Sequence, residues 1–279
     1  RLTKSVTLRL LIVAYLLWLV YCFATTNQPD TPLFFNLPQT PDSIITPKYV
    51  GDPLNAVKIF NEKAVDELLL LDVAATVDGY PPNLKLIREI AAECRMPLCY
   101  AGGISCSDQI SEIISLGVEK VGLGTVAVEN PEIITQAVRE VGSQSIVAIM
   151  DVVKKKYSKN YELVTRRGKN RTGITPLEFV SNMQALGCGE VLINNVDRDG
   201  LMQGYDHELI ALIRANSAIP ITVLGGAGSL EDIIKVVEEF GVVGVAAGSL
   251  FVFKGTYKAV LINYLSNSDR AQILSCLKQ

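Results

Sequence analysis

Two stretches of this chain repeat each other. Pro97-Leu-Cys-Tyr-Ala-Gly-Gly103 matches Pro220-Ile-Thr-Val-Leu-Gly-Gly226. Each is followed by a helical pattern, then Gly117 or Gly241, then a short apolar strand ending in Gly124-Thr125 or Gly248-Ser249. Upstream, Glu67-Leu-Leu-Leu-Leu-Asp72 matches Glu190-Val-Leu-Ile-Asn-Asn195, and Asp52-Pro53-Leu54 matches Thr175-Pro176-Leu177. The offset is 123 residues, becoming 124 after one insertion, a register that chance similarity does not hold. Asp52 and Thr175 read as N-caps with proline at the first helical position.

Short β-branched strands alternate with amphipathic helices, the pattern of a parallel sheet covered on both faces. Strands are expected at Glu67–Leu71, Leu98–Ala101, Lys120–Leu123, Ile146–Met150, Val191–Asn194, Ile221–Leu224 and Val243–Ala247. Helices are expected at Leu84–Cys94, Ser107–Ser115, Pro131–Val141, Leu177–Leu186, His207–Asn216 and Leu230–Phe240. Two like halves of four strands close into eight, so the fold class is α/β, a (β/α)₈ TIM barrel with a twofold internal half-barrel repeat. The strand still to be placed is the first. The barrel is expected over residues 47–266, with a tail at 267–279 and an atypical segment at 1–46.

That N-terminal segment carries Arg1, Lys4 and Arg9, an apolar run from Leu10 to Ala24, then a polar, Pro-rich stretch. Its length suits a signal-peptide h-region or a single anchor. The alternatives are an upstream region read out of frame, or a hydrophobic strand or helix packed on the barrel. An open edge in an eight-stranded ring would leave backbone groups unpaired. A closing strand is therefore expected within Leu10–Phe23. A membrane enters the reading only through this run; otherwise a cytoplasmic protein is expected.

Composition narrows the chemistry. A net charge of −3 favours neither nucleic acid nor an anionic surface as partner. The six cysteines form no CxxC pair and read as cytosolic thiols. The single histidine, His207, has no metal-ligand company, so no metal or other cofactor is expected and acid–base work falls to carboxylates or lysine.

In such barrels chemistry sits at the carboxyl ends of the strands. Both halves place Gly-Gly after one strand (Gly102-Gly103, Gly225-Gly226) and Gly-Thr or Gly-Ser after the next. Either these glycines make tight turns, or they let backbone approach an anion, with Thr125 and Ser249 donating hydroxyls. Two such sites across one mouth imply an elongated substrate with a phosphate at each end. Asp72, Asp151, Asn194 and Asp199 lie at or beyond strand ends. Asp151 is the catalytic candidate, whereas Asp72 reads more readily as a loop cap. At the opposite strand ends, Glu67, Lys120 and Glu190 are either surface charges or an inward plug.

Asp66-Glu67…Leu71-Asp72, Ala101-Gly102-Gly103-Ile104, Ala127-Val128-Glu129-Asn130-Pro131, Asp197-Arg198-Asp199-Gly200…Gly204-Tyr205-Asp206 and Gly225-Gly226-Ala227-Gly228 together resemble the cyclase subunit of imidazole glycerol phosphate synthase. The resemblance runs from about Pro47 to Tyr264. It implies an ammonia-dependent lyase and cyclase of histidine biosynthesis, acting on a bisphosphorylated ribulosyl aminoimidazole. Ammonia would come from a glutaminase partner docked on the barrel floor as a heterodimer. The resemblance makes Asp151 the catalytic aspartate of the fifth strand. It assigns Gly103, Thr125, Gly200, Gly226, Gly248 and Ser249 to phosphate binding, and Glu67, Lys120 and Glu190 to an ammonia gate. Gly102, Asp72, Asn194 and Asp199 complete the expected substrate site.

Departures from the pattern are also legible. The repeat offset puts the partner of Asp151 near Asn27 or Gln28, and neither is a carboxylate; Asp30 is a poor substitute. Asn194 stands where threonine is usual, and Arg171 where asparagine is usual. Little turnover with ammonia is expected unless another carboxylate, such as Asp30 or Asp72, stands in. The tail from Gly248 to Tyr264 resembles a paralogous branch that delivers ammonia for amidation of a surface-polysaccharide sugar. A barrel damaged at its first strand is the third reading.

Overall fold

The computed structural model describes residues 12–18, 33–37 and 46–277, apart from 157, 159 and 256. Eight parallel strands form a closed ring: β1 (Ile12–Trp18), β2 (Glu67–Asp72), β3 (Leu98–Ala101), β4 (Lys120–Leu123), β5 (Ile146–Lys154), β6 (Glu190–Asn195), β7 (Ile221–Leu224) and β8 (Gly244–Ala247). Each pairs with its neighbours in chain order, and β5 pairs directly with β6. Within the apolar N-terminal run, β1 completes the ring between β8 and β2, with Ile12 level with Val245 and Val13 with Glu67. The fold is a (β/α)₈ TIM barrel.

Helices α1 (Pro53–Glu62), α2 (Leu84–Glu93), α3 (Ser107–Ser115), α4 (Glu132–Val141), α5 (Pro176–Ala185), α6 (His207–Arg214), α7 (Leu230–Phe240) and α8 (Asn267–Cys276) alternate with the strands. Leu68, Leu69 and Leu70 on β2 are all buried, because alternate residues face the barrel interior and the helix layer. Buried isoleucines recur three apart on the helices, Ile87 and Ile90 on α2 and Ile110 and Ile113 on α3, and seal that layer. Asp52 accepts a hydrogen bond from the Asn55 N–H at the start of α1, and Thr175 forms a full capping box with Glu178 on α5. Both repeat-derived caps thus hold their helices.

The glycine pairs have a packing requirement that is the same in each half. A Cβ on Gly102 would lie 2.2 Å from the Asp72 carbonyl oxygen, and one on Gly225 would lie 2.6 Å from that of Asn195. Both glycines also have positive φ, 128° and 93°. Each pair therefore lets one strand end press against the backbone of the strand before it.

Two features differ from the expected elements. β5 runs on past Met150 to Lys154 and pairs antiparallel with Tyr161–Thr165, which pairs in turn with Asn170–Arg171. Tyr161 and Leu163 are buried beneath this hairpin, which offsets its charged flanks. Near the N-terminus, Leu33–Leu37 pairs antiparallel with Thr46–Gly51. No helix among the described residues is long and apolar enough to cross a membrane. Asn27, Gln28 and Asp30 lie outside the described residues.

Candidate active site

The barrel has two polar ends. At the floor, Lys120 Nζ lies 2.9 Å from Glu190 Oε2 and 3.1 Å from Glu67 Oε2. These residues open β4, β6 and β2, so the three strands that lie at this level point their first side chains to one cluster. Thr222 on β7 joins it, its hydroxyl donating to Glu190 Oε1 at 2.6 Å. Burial raises the Glu67 carboxyl above its usual range, and the nearby ammonium only partly holds it down. Burial alone would lower the Lys120 ammonium, but Glu190 and Glu67 outweigh it and the net shift is upward. The floor is thus closed by a lysine that stays charged between two carboxylates.

At the mouth a cavity of about 650 Å³ is lined by Asp72, Gly102, Gly103, Thr125, Asp151, Asn194 and Asp199. Lys154, Lys156, Arg166 and Arg171 add positive charge to its wall. Gly200, Gly226, Gly248 and Ser249 follow β6, β7 and β8 and are not among the described residues that line it. The structure therefore brings together the first-half anion candidates and the carboxylates, but not the second-half set.

The carboxylates of the mouth differ in their partners. Asp151 sits level with Asn194 on the neighbouring strand, whose Nδ2 donates to Asp151 Oδ1 at 2.8 Å. Burial raises the Asp151 carboxyl, and this hydrogen bond opposes the rise. Asp199 lies in the turn after β6, where its N–H bonds the Asn195 carbonyl at 2.9 Å. Burial, then the charge of Asp151, push its carboxyl to about 7, against the pull of the Gly200 N–H. Asp72 is 3% exposed, and its Oδ1 accepts the Ala74 and Ala75 N–H groups at 3.2 and 3.0 Å. Burial still lifts it to about 6. Asp72 therefore caps the turn after β2 as well as bordering the cavity.

The hairpin after β5 straps the rim, and its contacts were not visible in the sequence motifs. Arg166 grips Glu129 through Nε and Nη2 at 3.2 and 3.0 Å, and its backbone N–H donates to Thr125 Oγ1 at 3.4 Å. Arg171 Nη1 pairs with Glu162 Oε2 at 3.0 Å. Tyr161 OH and Asn195 Nδ2 both donate to Asp206 Oδ2, at 2.9 and 2.8 Å, while Asp206 Oδ1 caps α6 at Leu209 N. The signal for this last junction was present in Gly204-Tyr205-Asp206, an acidic N-cap directly before a helix.

Comparison with known proteins places these features. The family model described as "Histidine biosynthesis protein" matches residues 42–258. A Vibrio vulnificus (strain YJ016) protein, provisionally named imidazole glycerol phosphate synthase subunit hisF3, is 52% identical over 227 residues, 81% of this chain and 87% of the relative. A Leptospira borgpetersenii protein, provisionally named subunit HisF of the same synthase, is 50% identical over 80% of this chain and 88% of its own. The Dictyoglomus thermophilum (strain ATCC 35947 / DSM 3960 / H-6-12) protein named imidazole glycerol phosphate synthase subunit HisF is 37% identical over 77% of this chain and 84% of its own. With a barrel closed by a carboxylate–lysine cluster at one end and lined by carboxylates at the other, this chain belongs to the histidine biosynthesis protein family, among its imidazole glycerol phosphate synthase HisF-type members.

Proposed function

We infer that the chain is an imidazole glycerol phosphate synthase cyclase-type subunit, using ammonia from a partner glutaminase on a bisphosphorylated ribulosyl aminoimidazole. The observation that carries this is the pairing of two polar ends in one barrel. Lys120 with Glu67 and Glu190 forms a hydrogen-bonded closure at the floor, where ammonia would enter. Asp151, with a raised carboxyl, stands in the mouth cavity, where a proton must move. Gly103 and Thr125 at the cavity wall, with Arg166 beside them, suit one phosphate end of such a substrate. Gly226, Gly248 and Ser249 would hold the other end. The docked glutaminase would cover the floor, and the reaction needs no cofactor from this chain.

The test is turnover at saturating ammonium salt, compared with glutamine plus the cognate glutaminase. Ammonium-dependent turnover, with another carboxylate standing in for the first-strand aspartate, and a glutaminase rate that rises on mixing are the expected outcome; no complex at micromolar concentration would remove the partner. Soaking with sulfate should fill one site at Gly103 and Thr125 and a second at Gly226 and Ser249. Filling of one site alone contradicts the bisphosphate.

A second reading is an ammonia-delivering barrel serving amidation of a surface-polysaccharide sugar. Its support is the tail from Gly248 to Tyr264, which resembles that branch. Glutaminase stimulation without turnover of the aminoimidazole substrate would select it.

A further inference from the structure

The hairpin after β5 carries more positive charge over the rim than its own contacts use. Residues 154–171 hold eight lysines and arginines against one acid, Glu162, in a chain whose net charge is −3. Lys154, Arg166 and Arg171 are each paired with a glutamate. Lys156 and Arg167 line the mouth cavity with no ion pair among the described residues. Arg166 and Arg167 also make the turn of the hairpin at positive φ, 52° and 61°, a conformation that glycine or asparagine adopts at less cost. Strain of this kind tends to collect at sites that clamp a ligand.

Beside the turn lies a second cavity of about 470 Å³, within the range of small-molecule sites. Thr76, Gly103, Thr125 and Arg166 border both cavities, so the two meet at the Gly103–Thr125 end of the mouth. The walls that belong to the outer cavity alone are apolar at Tyr80 and Pro81 and polar at Ser105 and Asn130. Glu129 also borders it, but Arg166 meets that charge through two N–H groups.

We propose that this outer cavity is a second ligand subsite, which extends the Gly103–Thr125 anion site to take a diphosphate-linked compound carrying a ring. A terminal phosphomonoester held by Gly103 and Thr125 reaches only the shared wall. A diphosphate continues past it and brings further charge to the turn, where Arg167 and Lys156 are free to meet it. A guanidinium binds phosphate oxygens in pairs, which suits Arg167 to this role. Beyond the phosphates, the Tyr80 ring offers a face for stacking, and Ser105 and Asn130 offer hydrogen bonds to the edge of the stacked group. The subsite rests on the anion-binding reading of Gly103 and Thr125 and goes beyond the proposed reaction, which makes no use of the outer cavity. Because the phosphate position is shared, such a compound competes with the bisphosphate.

The test is calorimetric titration of the full chain with glycerol phosphate, inorganic pyrophosphate and ADP-ribose. ADP-ribose is expected to bind about tenfold or more tightly than glycerol phosphate, as stacking of one ring supplies. Arg167→Gln should weaken pyrophosphate and ADP-ribose while sparing glycerol phosphate. Tyr80→Ala should weaken ADP-ribose alone, and Tyr80→Phe should keep its affinity. Ser105 is exposed, so Ser105→Trp fills the outer cavity without disturbing the core and should abolish the ADP-ribose advantage. Equal affinity for ADP-ribose and glycerol phosphate, or an advantage that survives Ser105→Trp, overturns the subsite and leaves the bisphosphate reading standing. A wild-type chain that binds none of the three probes overturns both.

Discussion

The two ends of the barrel bury the same kind of group and treat it in opposite ways. At the floor, Glu67 and Glu190 share Lys120, and Thr222 occupies a remaining acceptor, so each charge has a partner at hydrogen-bond distance. At the mouth, Asp151 has one neutral amide and Asp199 has no cation bonded to it among the described contacts, so no bonded cation opposes the rise that burial causes, whereas Lys120 partly opposes it at Glu67. A compensated cluster is rigid and stabilises the ring it closes. An uncompensated one is costly to folding but is ready to exchange protons.

This contrast is open to attack by mutation. The largest expected effect is on rate: Asp151→Asn should lower ammonia-dependent turnover by about a hundredfold to ten-thousandfold, with little loss of stability. If it instead unfolds the protein while sparing turnover, the mouth is structural and the contrast fails. Next, Lys120→Met leaves the buried Glu67 and the half-buried Glu190 without a cation and should cost about 3–5 kcal/mol in urea unfolding. Part of that loss should return as pH is lowered, because an uncompensated Glu67 takes up a proton. A loss below about 1 kcal/mol, as for an exposed ion pair, would show that the floor is solvated.

Wild-type stability should itself depend on pH through the mouth. The Asp72 and Asp199 carboxyls are raised to about 6 and about 7. Their contribution is fully present below the unfolded value of about 4 and is lost as pH rises through those folded values. Asp199→Asn should flatten the upper part of this decline by about 1–2 kcal/mol, read as urea midpoints between pH 5 and 8; an unaltered slope would mean that Asp199 is ionised throughout. The smallest change is Thr222→Val, which removes one hydrogen bond to a charged group and should cost about 1–2 kcal/mol. No effect there would make the hydroxyl incidental to the floor.

Much of this architecture was legible because the repeat doubles each signal. The strands from Glu67 onward, the caps at Asp52 and Thr175 and the charged starts of three strands all follow from residue type and spacing. The β5 hairpin was hidden, because Lys154-Lys-Lys and Arg166-Arg-Gly-Lys read as loop while Tyr161 and Leu163 carry the burial. Thr222 was hidden for a different reason: one hydroxyl in an apolar strand has no charge to announce it, although its place on the strand beside the one that Glu190 opens could have drawn notice. Asp72 illustrates a third limit. Strand-end aspartates look alike in a sequence, and only the N–H groups of Ala74 and Ala75 separate a cap from a free carboxylate.

The position of β1 bears on how the molecule comes into being. Its partner β8 lies more than two hundred residues further along the chain, with Ile12 set against Val245. During synthesis from the N-terminus, β1 can join β2 early, but its other edge has no mate until nearly the whole chain has emerged. Pairings so distant in sequence are slow to form, and an apolar strand waiting with a bare edge invites association with other chains. Ring closure is therefore the natural late step of folding, and chaperone demand should concentrate in the interval between the release of β2 and the release of β8.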